Sequence, residues 1–222
     1  MALERRNVIE LVGEIVSDPV KVEVASGANI VSYEFTVRVQ RSSGNSDDIV
    51  VRASDSAISD EIKLGDKVCL HGDVRVYKGC KTSNVMGCAL ANNKLIYVNA
   101  KNVKLATDTN LEVCKINECE LVGDIVRIEK VKMLENGNRL LPIELDVSRN
   151  NVKFKKQCIL QVTIWESCIN YVSQASCGDK LRVKGRLHSR RLKGQDILIY
   201  EIAAFDVDLL RKDDADKEKE QN

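Results

Sequence analysis

The chain has 222 residues, enough for one large domain or two small ones, and none of its apolar runs reaches the length of about 18 residues that a membrane helix needs. With 34 basic and 33 acidic residues the net charge is +1, so overall charge neither favours nor excludes a nucleic-acid partner. Aromatic residues make up only 4% of the chain and include a single Trp, which disfavours a surface built from many stacked rings.

Two halves of the sequence repeat each other. Residues 10–16 read ELVGEIV and residues 120–126 read ELVGDIV, and the same register continues through several matched glycines, such as Gly72 with Gly185. An ordered series of matches with small drifts in spacing is what duplication followed by loop insertion produces. The sequence therefore predicts two homologous domains, at residues 1–106 and 115–211.

Strand patterns dominate the first repeat. Apolar residues open a strand at 8–16, and a strict period of two marks a strand at 31–40, with one face buried. Further segments then follow in chain order: a strand at 49–51, a segment of helical character at 55–64 that Gly65 ends, and strands at 68–76 and 95–103.

The second repeat has the same order of elements. Its strands are predicted near 117–131, 140–149, 157–165, 180–191 and 196–208, with a helical turn or two between 166 and 176. Five strands and one short helix in about 100 residues are typical of the five-stranded Greek-key barrel called the OB-fold. We therefore predict an all-β protein of two tandem OB-fold barrels, followed by an acidic tail at 212–222 that has no large apolar residue and is expected to be disordered.

A basic stripe lies on the fourth strand of the second repeat. Residues 180–194 read KLRVKGRLHSRRLKG and contain no acid. Alternate side chains of a strand point to opposite faces, so one face is apolar and the other is cationic. Phosphate contact is the function that this pattern favours, and a solvated strand edge protected by charge is the structural alternative. The stripe comprises Lys180, Arg182, Lys184, Arg186, His188 and Arg190, and Arg191 is a further basic residue beside it.

Aromatic and basic residues elsewhere add candidates for binding single strands, because every base has a face on which a ring can stack. Trp165 alternates with the apolar residues Val162 and Ile164, which favours exposure on the face of Thr163 and Gln161. A loop between the second and third strands of this repeat contains Phe154 among Lys153, Lys155 and Lys156. The first repeat offers a weaker set of candidates, namely Arg38, Arg52, Arg75 and Tyr77. We therefore expect the second repeat to bind more strongly.

The motifs NVIELVGEIVSDPV and IKLGDKVCLHGDVRV, with their counterparts NECELVGDIV and CGDKLRVKGRL, resemble the bacterial single-stranded-DNA-binding protein family and its primosomal replication relatives. The resemblance implies a cytoplasmic protein that binds single-stranded DNA with little sequence preference, in replication, repair or recombination. Family members present four barrels per assembly, which implies a homodimer here. An interaction module of the replication machinery with weak nucleic-acid affinity and an RNA-binding protein are the alternatives.

Enzymatic and metal-dependent functions find little support. The eight cysteines are irregularly spaced without a CxxC pair, and neither of the two histidines lies near a useful cysteine pair. Phosphate-binding, metalloprotease and hydrolase motifs are absent from the sequence. We therefore expect a protein that is not an enzyme, with reduced thiols, no bound metal and no cofactor.

Overall fold

The computed structural model describes residues 5–23, 31–59, 61–78, 89–90, 94–107, 116–148, 157–191 and 197–210. The chain divides into two compact units. The N-terminal unit comprises Val8–Glu118 and Leu187–Tyr200, and the C-terminal unit comprises Met1–Asn7, Cys119–Arg186 and Glu201–Asn222. Each unit thus includes a segment that the sequence repeat assigns to the other half, and the continuous boundaries 1–106 and 115–211 stay a prediction.

The strands of the first repeat close into a ring. Strand β1 pairs with β3 and with β5, β3 pairs with β4, β4 runs parallel to β7, and β7 returns to β5. A short strand β2 extends β3 at its edge. The strands are β1 (Arg6–Ile15), β2 (Val20–Glu23), β3 (Val31–Gln40), β4 (Ser46–Ser54), β5 (Lys67–Lys78), β6 (Ala89–Leu90) and β7 (Lys94–Leu105).

The strands of the second repeat close in the same order. Strand β8 pairs with β10 and β12, β10 pairs with β11, β11 runs parallel to β13, and β13 neighbours β12. The prediction of an all-β, tandem five-stranded OB-fold protein is therefore confirmed. The strands are β8 (Asn117–Ile128), β9 (Lys132–Met133), β10 (Arg139–Asp146), β11 (Ile159–Trp165), β12 (Lys180–Arg191) and β13 (Ile197–Leu210).

The repeated glycines mark close approaches between strands inside each barrel. A Cβ added to Gly72 would lie 2.3 Å from the carbonyl oxygen of Asn99, and one added to Gly185 would lie 2.6 Å from that of Ala203. No real side chain tolerates such distances, so the backbone of the fourth strand of each barrel packs against the last strand only if glycine occupies this position.

The two predicted helical segments are shorter than expected. The prediction over 55–64 is wrong beyond the 3-10 helix Asp55–Ala57, because Ile58 forms a parallel bridge with Val103 and the Ser59 N–H donates to the Val103 carbonyl at 3.0 Å. These tertiary bonds hold the chain extended where its local sequence favours a helix. In the second repeat the 3-10 helix Glu166–Cys168 continues into a single α-helical turn, α1 (Ile169–Val172), which ends before 176.

Some predicted features lie outside the described residues, namely the loop of Phe154 with Lys153, Lys155 and Lys156, and the acidic tail at 212–222. None of the helices in the described ranges is long and apolar enough to cross a membrane.

Candidate nucleic-acid interface

The predicted alternation on β12 is present in the structure. Leu181, Val183 and Leu187 are fully buried, whereas Lys180, Arg182 and Lys184 are half-buried and Arg186 is exposed. Apolar side chains of the strand thus fill the barrel, and its basic side chains form the outer surface. The stripe is therefore a real surface feature in the C-terminal unit from residue 180 to residue 186.

Carboxylates compensate part of this positive charge. The Lys180 ammonium lies 3.0 Å from Asp124 Oδ1, and Arg182 Nε donates to Asp208 Oδ2 at 2.8 Å. Arg5 also pairs with Asp124 and donates to the Asp146 carbonyl at 3.1 Å. A phosphate group at this end of the stripe has to compete with carboxylates that already accept from the same cations.

Strand β13 lies between β11 and β12 and brings an aromatic residue onto the same outer face. Thr163 of β11 pairs with Ala203 of β13 in parallel register, and two residues further along the two strands come Trp165 and Phe205. The Phe205 side chain is 48% exposed, and the Arg186 guanidinium lies 5.9 Å from its ring centre. Two rings and one cation thus stand on three neighbouring strands.

The surroundings of Trp165 differ in one respect from the predicted exposed face. Trp165 and Gln161 are half-buried, and Trp165 pairs with Leu140 on the adjacent antiparallel strand β10. Thr163, predicted to share this exposed face, is buried, and its hydroxyl donates to Glu201 Oε2 at 2.6 Å. The Trp165 indole is therefore partly accessible, whereas Thr163 is not.

A second cluster of rings and cations lies on the outer face of the N-terminal unit. The Arg52 guanidinium stands 4.6 Å from the ring centre of Tyr97 and 5.5 Å from that of Tyr77, and its Nε donates to the buried Glu34 carboxylate at 2.6 Å. Burial raises the pKa of the Tyr97 phenol, although the charge of Arg52 opposes this. Tyr77 is 51% exposed and offers a ring face to solvent.

The other predicted cations of this unit are held by acids. Asp73 is buried, and its Oδ2 lies 3.2 Å from Arg75 Nη2 and 3.4 Å from Lys101 Nζ. Arg38 forms a two-bond pair with Asp48, at 2.7 and 2.9 Å, and the hydrogen bond raises the pKa of Arg38. Neutralisation by Asp73 and Asp48 weakens the positive field of this face.

The far end of β12 belongs to the N-terminal unit, so the predicted stripe is divided between two units. His188 is half-buried, and Arg190 and Arg191 are exposed. Between them, Ser189 is buried, and its N–H donates to Asp47 Oδ1 at 2.7 Å. This bond fixes the backbone from which Arg190 and Arg191 extend.

Comparison with known protein families gives a match in the second half of the chain. Residues 116–210, which contain every strand of the second barrel, match the model of the Single-strand binding protein family. No curated protein sequence matches the chain.

Solved structures extend the likeness of fold to the whole chain. Wild-type single-stranded DNA binding protein from Thermus aquaticus has a TM-score of 0.70 at 16% identity, covering 95% of each chain. A deletion mutant of the same protein has a TM-score of 0.68 at 16% identity, covering 96% of this chain and 97% of that one. A Plasmodium falciparum single-strand binding protein, solved in complex with single-stranded DNA, covers 44% of this chain and 96% of its own, with a TM-score of 0.38 at 19% identity.

Two aromatic residues of the interface escaped the sequence analysis. Phe205 of the second barrel and Tyr97 of the first barrel both lie on the last strand of their repeat, outside the motifs that the repeats share. Tyr97 stands between the buried residues Ile96 and Val98, so period-two alternation is the signal that indicates its outward direction. At Phe205 the signal fails, because Phe205 and Asp206 are both exposed and the alternation is broken there.

Matched positions in the two barrels carry opposite chemistry. Because Gly72 matches Gly185, the residues that follow them correspond: Asp73 in the first barrel and Arg186 in the second. Each 3-10 helix directly follows β4 or β11, so Ser54 corresponds to Trp165. The second barrel thus has a cation and an indole where the first barrel has an acid and a serine.

Groups that could hold a metal ion were also considered. In the ranges that the structure describes, no three His, Cys, Asp or Glu side chains converge as metal ligands would. Cys69, Cys119 and Cys158 are buried cysteines that form no disulfide. Their environment is that of small core side chains.

Proposed function

We propose that this protein binds single-stranded DNA without strong sequence preference and is not an enzyme. The observation that carries the proposal is the family match of residues 116–210, which coincides with a closed barrel whose outer face bears Trp165, Phe205 and Arg186. Rings and a cation on adjacent strands suit a flexible strand, because bases stack on rings while phosphates pair with basic side chains.

The C-terminal unit is the stronger binding surface in this proposal. Its outer face offers Trp165 and Phe205 for stacking, and Arg186 is exposed and contacts a ring rather than a carboxylate in the contacts described above. The N-terminal unit contributes the Arg52, Tyr77 and Tyr97 cluster, whose cation is bonded to Glu34. The larger share of the affinity for DNA comes from the C-terminal unit.

The chain contains one Trp, so its fluorescence reports on a single position of the interface. Titration with dT oligomers at two salt concentrations is expected to quench Trp165, with weaker binding at the higher salt because released counterions drive association. Binding of a labelled oligomer to Trp165→Phe, which keeps a ring but removes the signal, serves as the control. Unchanged Trp165 fluorescence at saturating oligomer contradicts the proposed interface.

An interaction module with weak nucleic-acid affinity is the second candidate. The observation that favours it is the pairing of Lys180 with Asp124 and of Arg182 with Asp208, which reduces the charge available to phosphates. Oligo-dT affinity no tighter than about 10⁻⁴ M, the weak end of non-specific binding, would support this candidate instead. Competition between dT and rU oligomers separates DNA preference from RNA preference.

We further propose that the protein acts as a homodimer in the cytoplasm, with replication proteins as partners in replication, repair or recombination. Two barrels per chain give four barrels in a dimer, the number that the family resemblance implies. Sedimentation equilibrium of the full chain is expected to give twice the mass of one chain, and the mass of a single chain across the micromolar range would contradict the dimer.

A further inference from the structure

We propose that a groove at one end of the first barrel is a docking site for a partner-protein peptide that carries a Lys or Arg beside an apolar side chain. The groove has a volume of about 510 Å³ and lies in the N-terminal unit. This volume is within the range of cavities that hold small ligands, about 300–1,000 Å³. The site is separate from the proposed nucleic-acid interface.

Apolar side chains form much of the wall. Pro19, which precedes β2, and Tyr33 of β3 contribute one part, and Ile58 and Ile62 contribute another. Both isoleucines are half-buried. They therefore leave apolar surface in contact with water, and a bound apolar side chain would remove part of it.

In the second barrel the corresponding region contains buried apolar side chains. Ile58 and Ile169 each directly follow a three-residue 3-10 helix, so they occupy corresponding positions. Ile169 begins α1 and is 2% exposed, and Val172 of the same helical turn is fully buried. In the first barrel Ile58 and Ser59, the two residues after Ala57, are not helical, and the half-buried Ile58 lines the groove instead.

The part of this wall at Ile58 and Ser59 is held in place. Ile58 is bridged to Val103, and the Ser59 N–H donates to the Val103 carbonyl at 3.0 Å. The backbone at the wall is thus tied to β7, a strand of the closed barrel. A groove with a fixed wall loses little conformational freedom when a ligand binds, so a short peptide can bind it with useful affinity.

The charge of the lining selects the ligand. Asp55 and Glu61 are exposed carboxylates, and among the described residues that line the groove, which also include Ser59, there is no Lys or Arg. Two carboxylates repel the phosphates of DNA and attract an ammonium or guanidinium group. The groove therefore fits a basic and apolar peptide and disfavours a nucleic-acid strand.

The groove is also separated from the cation and ring cluster by the geometry of β3. Tyr33 lines the groove, whereas its neighbour Glu34 bonds to Arg52. Successive side chains of a strand point to opposite faces. A strand of DNA on the Arg52 face and a peptide in the groove therefore contact opposite sides of β3.

Selection of a random heptapeptide library, displayed on phage, against the full-length immobilised protein tests the proposal. Enriched peptides are expected to carry Lys or Arg next to an aliphatic or aromatic residue. By fluorescence anisotropy they should bind the double variant D55N/E61Q roughly three- to thirtyfold more weakly, the effect of losing two exposed ion pairs. The matched control E135Q removes an exposed carboxylate of the C-terminal unit and should leave peptide affinity unchanged.

Three results would overturn the proposal. The first is a selection that enriches no sequence or enriches peptides without excess basic residues. The second is equal affinity of the enriched peptides for the wild type and D55N/E61Q. The third is a gain in oligo-dT affinity in D55N/E61Q clearly larger than in E135Q, which would make the groove part of the DNA path. Unchanged oligo-dT binding together with weakened peptide binding supports a separate docking site.

Discussion

Replacement of Phe205 by Ala tests whether the outer face of the second barrel stacks bases. Loss of one base-stacking ring weakens single-strand binding by about 1–3 kcal/mol, which is roughly five- to 150-fold in Kd. The ring is 48% exposed in the free protein, so its removal leaves most of the barrel core intact. Fluorescence anisotropy of a labelled dT oligomer measures the change, and the thermal midpoint of each variant checks the fold.

Salt dependence separates stacking from charge at the same place. Phe205→Ala should weaken binding equally at all salt concentrations, because a ring releases no counterions. Arg186→Ala should reduce the slope of log Kd against log salt by about 0.7, the value for one phosphate contact on a single strand. Phe205→Leu keeps an apolar side chain without a ring face and should behave like Phe205→Ala.

The outcome that refutes this reasoning is specific. If Phe205→Ala and Phe205→Leu both bind dT oligomers as tightly as the wild type, the bases do not reach β13. If Phe205→Ala instead changes the salt slope as Arg186→Ala does, the ring acts only by orienting Arg186, which stands 5.9 Å from its centre.

Three further predictions concern the charges and the packing around the interface. Asp208→Asn removes the carboxylate that accepts from Arg182. It is expected to tighten oligo-dT binding and to steepen the slope of log Kd against log salt by up to about 0.7. An unchanged slope would mean that Arg182 contacts no phosphate. Arg52→Gln leaves Glu34, which is 1% exposed, without its cation and should lower the free energy of unfolding by about 3 kcal/mol in urea denaturation, with recovery in the double variant E34Q/R52Q. Gly185→Ala brings a Cβ within 2.6 Å of the Ala203 carbonyl oxygen and should destabilise the barrel by about 1–3 kcal/mol or more; a thermal midpoint equal to that of the wild type would contradict this close approach.

Strand positions were predictable because each depends on a local pattern. The period-two run of β3 and the matched motifs of β1 and β8 locate strands that the structure contains. The ring order follows from the fold type that five strands and a short helix indicate. Helix length was not predictable, because the bridge between Ile58 and Val103 joins residues 45 positions apart and local propensity does not report it.

The candidate nucleic-acid interface was predictable only where it depends on a pattern within one strand. Alternation on β12 indicates which face Lys180 to Arg186 occupy, since it is a property of one strand. The carboxylates that accept from these cations, Asp124 and Asp208, lie on β8 and β13, more than 25 positions away. Compensation of charge across strands depends on register, which a single strand does not encode.

Divergence of the two barrels explains why one duplicated fold supports unequal surfaces. The close approach at Gly72 and Gly185 is kept in both barrels, because any side chain there would collide with the last strand. The residue after the glycine differs between the barrels, and is the buried Asp73 in one and the exposed Arg186 in the other. Asp73 draws Arg75 and Lys101 into ion pairs, whereas Arg186 stands over Phe205. The residue after a constrained glycine thus decides whether nearby cations are held by an acid or remain near a ring. Exchanging Asp73 and Arg186 between the barrels should shift oligo-dT affinity from the second barrel toward the first.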